Sequence, residues 1–156
     1  MPDTAKPPCE TLRFFDEQLD LFTQATILLP TEILARLSDT AIKEIVDAFV
    51  ENAAYEAGLQ GIPWVDYNQP AALRTGLMTA GHLSRENAQI QQIIDQVLNG
   101  VLADRDRLLT GDTSRRMIAE RFAKEIEAKA REQGLHWDED RSNHVRMGVI
   151  ITLISG

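Results

Sequence analysis

The chain has 156 residues, of which 44% are hydrophobic and 26% are charged, so it contains enough apolar material to bury a core. Residues 1–70 hold 12 acidic and 4 basic residues, whereas residues 71–156 hold 12 of each, so the formal net charge of −8 comes from the first half. This charge distribution disfavours nucleic acid and anionic lipid as partners, because affinity for both depends on clustered Lys and Arg.

The first nine residues are predicted to be a flexible leader that precedes a single domain, residues 10–156. The leader lacks the charged-then-apolar pattern of a secretion signal, and no apolar run reaches the roughly 20 residues that span a bilayer. We therefore expect a cytoplasmic protein with no membrane association. The lone Cys9 excludes a multi-cysteine metal site, and we expect no cofactor.

Apolar residues that recur at steps of three and four predict an amphipathic helix over residues 10–23. Residues 27–29 fit either a short buried strand or a linker, and a short helix follows. The next predicted helix is capped by Ser38 or Asp39 and ends at Gly58, because glycine tolerates the left-handed turn that closes many helices.

Residues 59–70 are predicted to form a loop that carries two aromatic side chains. Large amphipathic rings in a polar loop often anchor protein interfaces. We therefore predict a partner-binding surface made of Trp64, Asp66 and Tyr67. The alternative for Trp64 is that its ring folds back and fills the core.

Residues 71–98 have the pattern of a helix–turn–helix, with a bend at Ala80 and Gly81 and a second helix that begins at Ser84. Three polar side chains near the start of the second helix could read base edges: Arg85, Asn87 and Gln89. Glu86 and the absence of a basic stripe argue against DNA. A DNA-binding regulator is therefore an alternative, and nucleic acid is not the expected partner.

The longest predicted elements form an antiparallel helical hairpin, residues 84–109 and 113–133. Apolar side chains at helical spacing form a seam along each arm: Ile90, Ile94, Val97, Val101 and Leu108 on the first, and Ile118, Phe122 and Ile126 on the second. Because only three residues separate the arms, the two helices must run in opposite directions.

The stretch HWDEDRSNH gathers two histidines, three carboxylates, a serine and an asparagine. As a transition-metal site it is poorly spaced, since His136 and His144 are eight residues apart. As a calcium loop it fails because Asn143 stands where glycine is required. We predict that no metal binds and that the acidic residues from Asp138 onward, or Ser142, begin a helix.

The apolar residues 149–154 fit either a buried helix that begins at Ser142 or a short C-terminal strand, and we expect the helix. They supply more apolar surface than a chain end normally exposes. They are therefore predicted to be buried in the core or to form a homodimer through the apolar C-terminus.

The sequence thus predicts a mainly α, single-domain bundle of about six helices. The function we expect is that of a small acidic protein that binds another protein with a neutral or basic surface. It would act as a regulator, adaptor, inhibitor or assembly chaperone, without catalysis. A third alternative is an enzyme whose site forms only on folding, for which His82, Glu86 and Asp95 lie near one another along the chain.

Overall fold

The computed structural model describes residues 6–155, and these residues form a mainly α helical bundle in which no strand occurs. The predicted fold class is confirmed. Residues 1–5 of the predicted leader lie outside the described residues. The α-helices are α1 Cys9–Ile27, α2 Thr31–Ala35, α3 Asp39–Leu59, α4 Gln69–Ala103, α5 Arg105–Leu109, α6 Arg115–Glu132 and α7 Glu139–Ser155, with a 3-10 helix, Val65–Tyr67, between α3 and α4.

The chain divides into two compact units, and the boundary falls within α4. Unit 1 ends at Arg85, and unit 2 begins at Glu86. Each unit has an apolar cluster of its own. The prediction of one domain over residues 10–156 stays a prediction, because a domain in the thermodynamic sense is defined by cooperative unfolding.

The core of unit 1 is made by α1, α3 and the first part of α4. Arg74 of α4 donates a hydrogen bond to Asp47 in the middle of α3, and Arg85 donates one to Asp39 at the start of α3. Residue numbers therefore rise along α4 as they fall along α3, so the two helices are antiparallel. The apolar spacing that predicts α3 is confirmed, because its buried residues recur at helical steps: Ile42, Val46, Val50, Ala53 and Ala57.

The predicted bend at Ala80 and Gly81 is wrong, because α4 continues without interruption from Gln69 to Ala103. Gly81 is a packing residue here rather than a helix breaker. A Cβ atom on Gly81 would lie 3.0 Å from Ile42 Cγ2, so the missing side chain lets α3 and α4 approach closely. Ser84 likewise lies inside the helix and caps nothing.

In unit 2, the second part of α4 packs against α6 and α7. Arg141 of α7 donates a hydrogen bond to Asn87 of α4, and a Cβ on Gly148 would lie 3.7 Å from Leu98 Cδ1, so α4 and α7 are parallel. A loop of six residues joins α6 to α7, which makes those two helices antiparallel. It follows that α6 is antiparallel to α4, as the predicted hairpin requires. The first predicted arm, residues 84–109, is not one helix, because α4 ends at Ala103 and the separate α5 covers Arg105–Leu109.

Two of the predicted helix ends are confirmed, and a third is wrong. Ser38 Oγ accepts a hydrogen bond from the backbone N–H of Ala41, which is the expected N-cap of α3. Gly134 follows α6 with a φ of 75°, in the left-handed region that glycine favours. Gly58 does not end α3, because the left-handed residue of that turn is Gly61, with a φ of 68°.

The C-terminal segment is a helix rather than a strand, as expected, but α7 begins at Glu139 instead of Ser142. Its earlier start has a local cause. Asp138 Oδ1 accepts a hydrogen bond from the backbone N–H of Arg141 at 2.8 Å, so Asp138 caps the first turn.

Candidate functional site

The HWDEDRSNH stretch is a helix start. Besides the cap at Asp138, the indole N–H of the buried Trp137 donates a 2.7 Å hydrogen bond to Ser142 Oγ. Ser142 therefore serves the core rather than the cap. His136 and His144 are exposed, and within residues 6–155 no group of three or more His, Cys, Asp or Glu side chains is placed to hold a metal ion.

The three predicted partner-binding residues lie in or next to the 3-10 helix. Trp64 is only 4% exposed, and its ring packs edge-on against Phe14 with 5.1 Å between ring centroids. Of the two interpretations of Trp64, the structure has the buried one, because the ring fills the core of unit 1. Asp66 is exposed and Tyr67 is half-buried, so the solvent-accessible residues of this loop are the neighbours of Trp64 and not Trp64 itself.

The candidate DNA-reading side chains lie along the uninterrupted α4 and make contacts within the protein. Arg85 donates to the Asp39 carboxylate at 2.7 Å and to the backbone carbonyl of Leu37 at 2.9 Å. Its guanidinium lowers the pKa of the Asp39 carboxyl, mainly through that hydrogen bond. Asn87 accepts from Arg141, and Gln89 is half-buried. The helix–turn–helix arrangement that would present these residues to DNA is not the one the chain adopts.

The side chains considered for catalysis each have a structural contact. His82 Nδ1 lies 3.0 Å from the Arg85 guanidinium. In unit 2, Glu86 accepts a hydrogen bond from the backbone N–H of His136, and Asp95 accepts one from the Gln91 amide. The Glu86 contact fixes the loop before α7 against α4.

An exposed apolar surface of unit 1 lies at the turn between α1 and α2, and sequence reasoning missed it. Of the two interpretations of residues 27–29, the structure has the linker rather than the buried strand, because residues 28–30 connect α1 to α2 and Leu28 is 83% exposed. A narrow, wholly apolar cleft of about 30 Å³ lies beside the turn, and Leu29 and Ile45 both line it. We call the exposed members of this surface the apolar patch: Ile27, Leu28, Leu29, Ile33 and Ile45.

A second apolar surface lies on α7 in unit 2. Val145, Val149 and Leu153 are buried in the core of the unit, as one face of an amphipathic helix should be. The other side of α7 is also apolar, because Met147, Ile151 and Ile154 follow one another at helical steps and are exposed. We call these three residues the outer face of α7. Only the second half of α7 is apolar on both sides, since its first half, residues 139–144, is polar. A helical segment that is apolar on both sides is normally covered on both.

No protein-family model matches this chain, and neither a curated protein nor a solved structure was found to be similar to it. Among the helices of residues 6–155, none is long and apolar enough to cross a membrane. The candidate surfaces are therefore identified from the exposed residues of this chain and not from a related protein.

Proposed function

We propose that the protein binds another protein and acts as a regulator, adaptor, inhibitor or assembly chaperone, without catalysis of its own. The observation that carries this proposal is the apolar patch of unit 1. Apolar side chains that are exposed singly are normal on protein surfaces. Here Leu29 and Ile45 line one apolar cleft, and the other three exposed residues of the patch lie in or next to the turn between α1 and α2. Such a cluster is typical of an interaction site.

The charge of the first half indicates the chemistry of the partner. Glu32 and Glu44 are exposed and directly adjacent in sequence to Ile33 and Ile45 of the patch. A partner that covers the patch would therefore need apolar side chains with a neutral or basic rim. Such a rim would also speed association, because opposite charges attract before contact is made.

The loop around the 3-10 helix is a second, separate candidate surface of unit 1. It lies beside the start of α1, where Trp64 contacts Phe14, whereas the apolar patch lies at the end of α1. Val65 is 73% exposed and Asp66 is exposed, while Tyr67 keeps part of its ring in solvent. Trp64 would support this loop from the core side rather than contact the partner. Replacing Trp64 would therefore test folding and not binding.

The proposal is tested with variants that change the surface and leave the core intact. Leu28→Glu places a charge on the apolar patch, and Met117→Glu is its matched control, because Met117 is an exposed apolar residue of α6. Tagged proteins would be used to purify partners from the native host, and the binary complex would then be titrated. We expect Leu28→Glu to weaken binding by about tenfold or more and Met117→Glu to bind normally. Equal binding by the two variants would exclude the patch.

We further propose that the protein forms a homodimer through the outer face of α7. Three exposed apolar residues on a helix that is already apolar on its buried face support a self-complementary contact. Sedimentation velocity should show a dimer that Ile151→Glu dissociates. Leu102→Glu, at an exposed apolar residue of α4, should leave the dimer intact. A monomer at high protein concentration would contradict this proposal.

A further inference from the structure

Unit 2 contains a groove of about 470 Å³ between the second part of α4 and α7. This volume lies within the range of about 300 to 1,000 Å³ that small-molecule sites usually have. The groove has an apolar floor with a polar end. The floor is formed by Ile90, Ile94, Leu98, Val145 and Gly148, and the polar side chains are Asn87, Gln91, Arg141 and His144.

The polar residues lie at one end because α4 and α7 are parallel. The hydrogen bond between Arg141 and Asn87 marks that end, and the approach of Leu98 to Gly148 marks the other. Arg141 and Gly148 are seven residues apart on α7, which is about 10 Å along the helix axis. The groove is therefore long and narrow, with polar groups where it begins and apolar groups where it ends.

Arg141 is the one lining residue with a fixed charge, and that charge is positive in a chain with a net charge of −8. Its guanidinium donates to the backbone carbonyl of His136 and to Asn87 Oδ1, both at 2.6 Å. A guanidinium has five N–H donors, and these two hydrogen bonds use two of them. The two bonds hold the group in one orientation, which lowers the entropy that a ligand would have to remove.

We propose that this groove binds a single-chain amphiphile with one carboxylate, a fatty acid of medium length. The carboxylate would lie at Arg141, and the chain would lie over Ile94, Leu98 and Gly148. A carboxylate fits better than a phosphate ester, because one guanidinium balances one negative charge, whereas a phosphate monoester carries about −1.5 to −2 at pH 7. This site uses residues of unit 2 only, so it does not depend on the protein-binding function proposed for unit 1.

The ligand side of the test keeps the protein unchanged. Decanoate, decanol and decylamine share one chain and differ in headgroup charge, and each would be titrated calorimetrically below its aggregation concentration. We expect decanoate to bind about tenfold to a hundredfold more tightly than decanol, because a hydrogen bond to a charged group is worth about 1.5 to 3 kcal/mol. Decylamine, which is positively charged, should bind more weakly than either.

The protein side of the test has a matched control for each variant. Arg141→Gln should remove the preference for decanoate over decanol, whereas Arg131→Gln, at an exposed arginine of α6, should retain it. Gly148→Leu should abolish binding of all three ligands, because its Cβ fits at 3.7 Å from Leu98 and the rest of the side chain fills the groove. Gly100→Leu is the control, since nothing lies within 4 Å of a Cβ there.

Three results would overturn the proposal. Equal affinity of the wild-type protein for decanoate and decanol would exclude recognition of the carboxylate. Normal decanoate binding by Gly148→Leu would exclude the groove. If the wild-type protein bound no decanoate but formed a dimer, and if Gly148→Leu dissociated that dimer, then a second copy of the chain would be the occupant of the groove. Should Arg141→Gln unfold, as judged by circular dichroism, the ligand series on the wild-type protein and on Gly148→Leu decides the question.

Discussion

Replacing glycine by alanine should have opposite effects on the free energy of unfolding at two positions of α4, Gly81 and Gly100. Gly81 lies in unit 1, where its missing Cβ would be 3.0 Å from Ile42 Cγ2 and 3.8 Å from Phe22 Cζ. Gly100 is exposed, and nothing lies within 4 Å of the Cβ that alanine would add. Replacing each by alanine therefore separates helix propensity from packing.

The expected sizes follow from these two environments. Alanine favours a helix over glycine by about 1 kcal/mol, so Gly100→Ala should raise the free energy of unfolding by about 0.5 to 1 kcal/mol. Gly81→Ala gains the same amount but places a methyl group 3.0 Å from Ile42 Cγ2, an atom of a side chain that is 2% exposed. Overpacking of this kind costs about 1 to 3 kcal/mol. The two variants should therefore differ by about that amount, with Gly81→Ala the less stable.

The measurement is urea unfolding monitored by far-ultraviolet circular dichroism, with both variants and the wild-type protein in one buffer. Equal slopes against urea would show that the variants differ in stability and not in the denatured state. If Gly81→Ala stabilised the protein as much as Gly100→Ala does, α3 and α4 would not be in the close contact described, and the reasoning would be refuted.

Three further predictions concern single side chains. Ser142→Ala leaves the buried indole N–H of Trp137 without its acceptor, so urea unfolding should show a loss of about 1 to 3 kcal/mol. Trp64→Phe leaves Trp137 as the fluorescent probe of unit 2, and Trp137→Phe leaves Trp64 as the probe of unit 1. If the protein is a single domain, the urea transitions detected by the two tryptophans should coincide. Arg85 lowers the pKa of Asp39, so the stability this carboxylate adds is present above its ordinary pKa of 3.8 and is lost as the pH falls through the lowered value. Asp39→Asn should therefore be less stable than the wild-type protein at pH 7, and the difference in urea midpoint should vanish towards pH 2.

Each of these predictions has a result that contradicts it. A Ser142→Ala variant as stable as the wild-type protein would mean that the indole has another acceptor. Separate midpoints for the two tryptophans would show two domains rather than one. A stability difference for Asp39→Asn that is constant from pH 7 to pH 2 would mean that Arg85 does not stabilise the charged form of Asp39.

The helical character of the chain was predictable because it depends on local patterns. Apolar residues at steps of three and four, with Ser38 as the cap of α3, identify α3 and α6 within one or two residues. The Asp138 cap was also predicted from local sequence, since a short acidic side chain before an apolar run bonds the free N–H groups of the first turn.

The errors arose where a residue acts through a distant neighbour. Gly81 has the local pattern of a bend, but its contact is with Ile42, 39 positions earlier, so sequence spacing misplaced a helix boundary there. The burial of Trp64 was one of two interpretations that the sequence left open, and it depends on Phe14 of α1, which is 50 positions earlier. The exposure of Leu28 has the same origin, since the apolar character of residues 27–29 is visible in the sequence and their neighbours are not.

The amino-acid sequence by itself determined that the chain is helical, that its first half is acidic and that its second half is balanced in charge. Only the tertiary structure decided which apolar side chains stay in solvent and which line the groove beside Arg141. The physical reason is that helix formation and charge depend on residues within a few positions of each other. Burial depends instead on which helices pack together, and that brings together residues far apart in the chain.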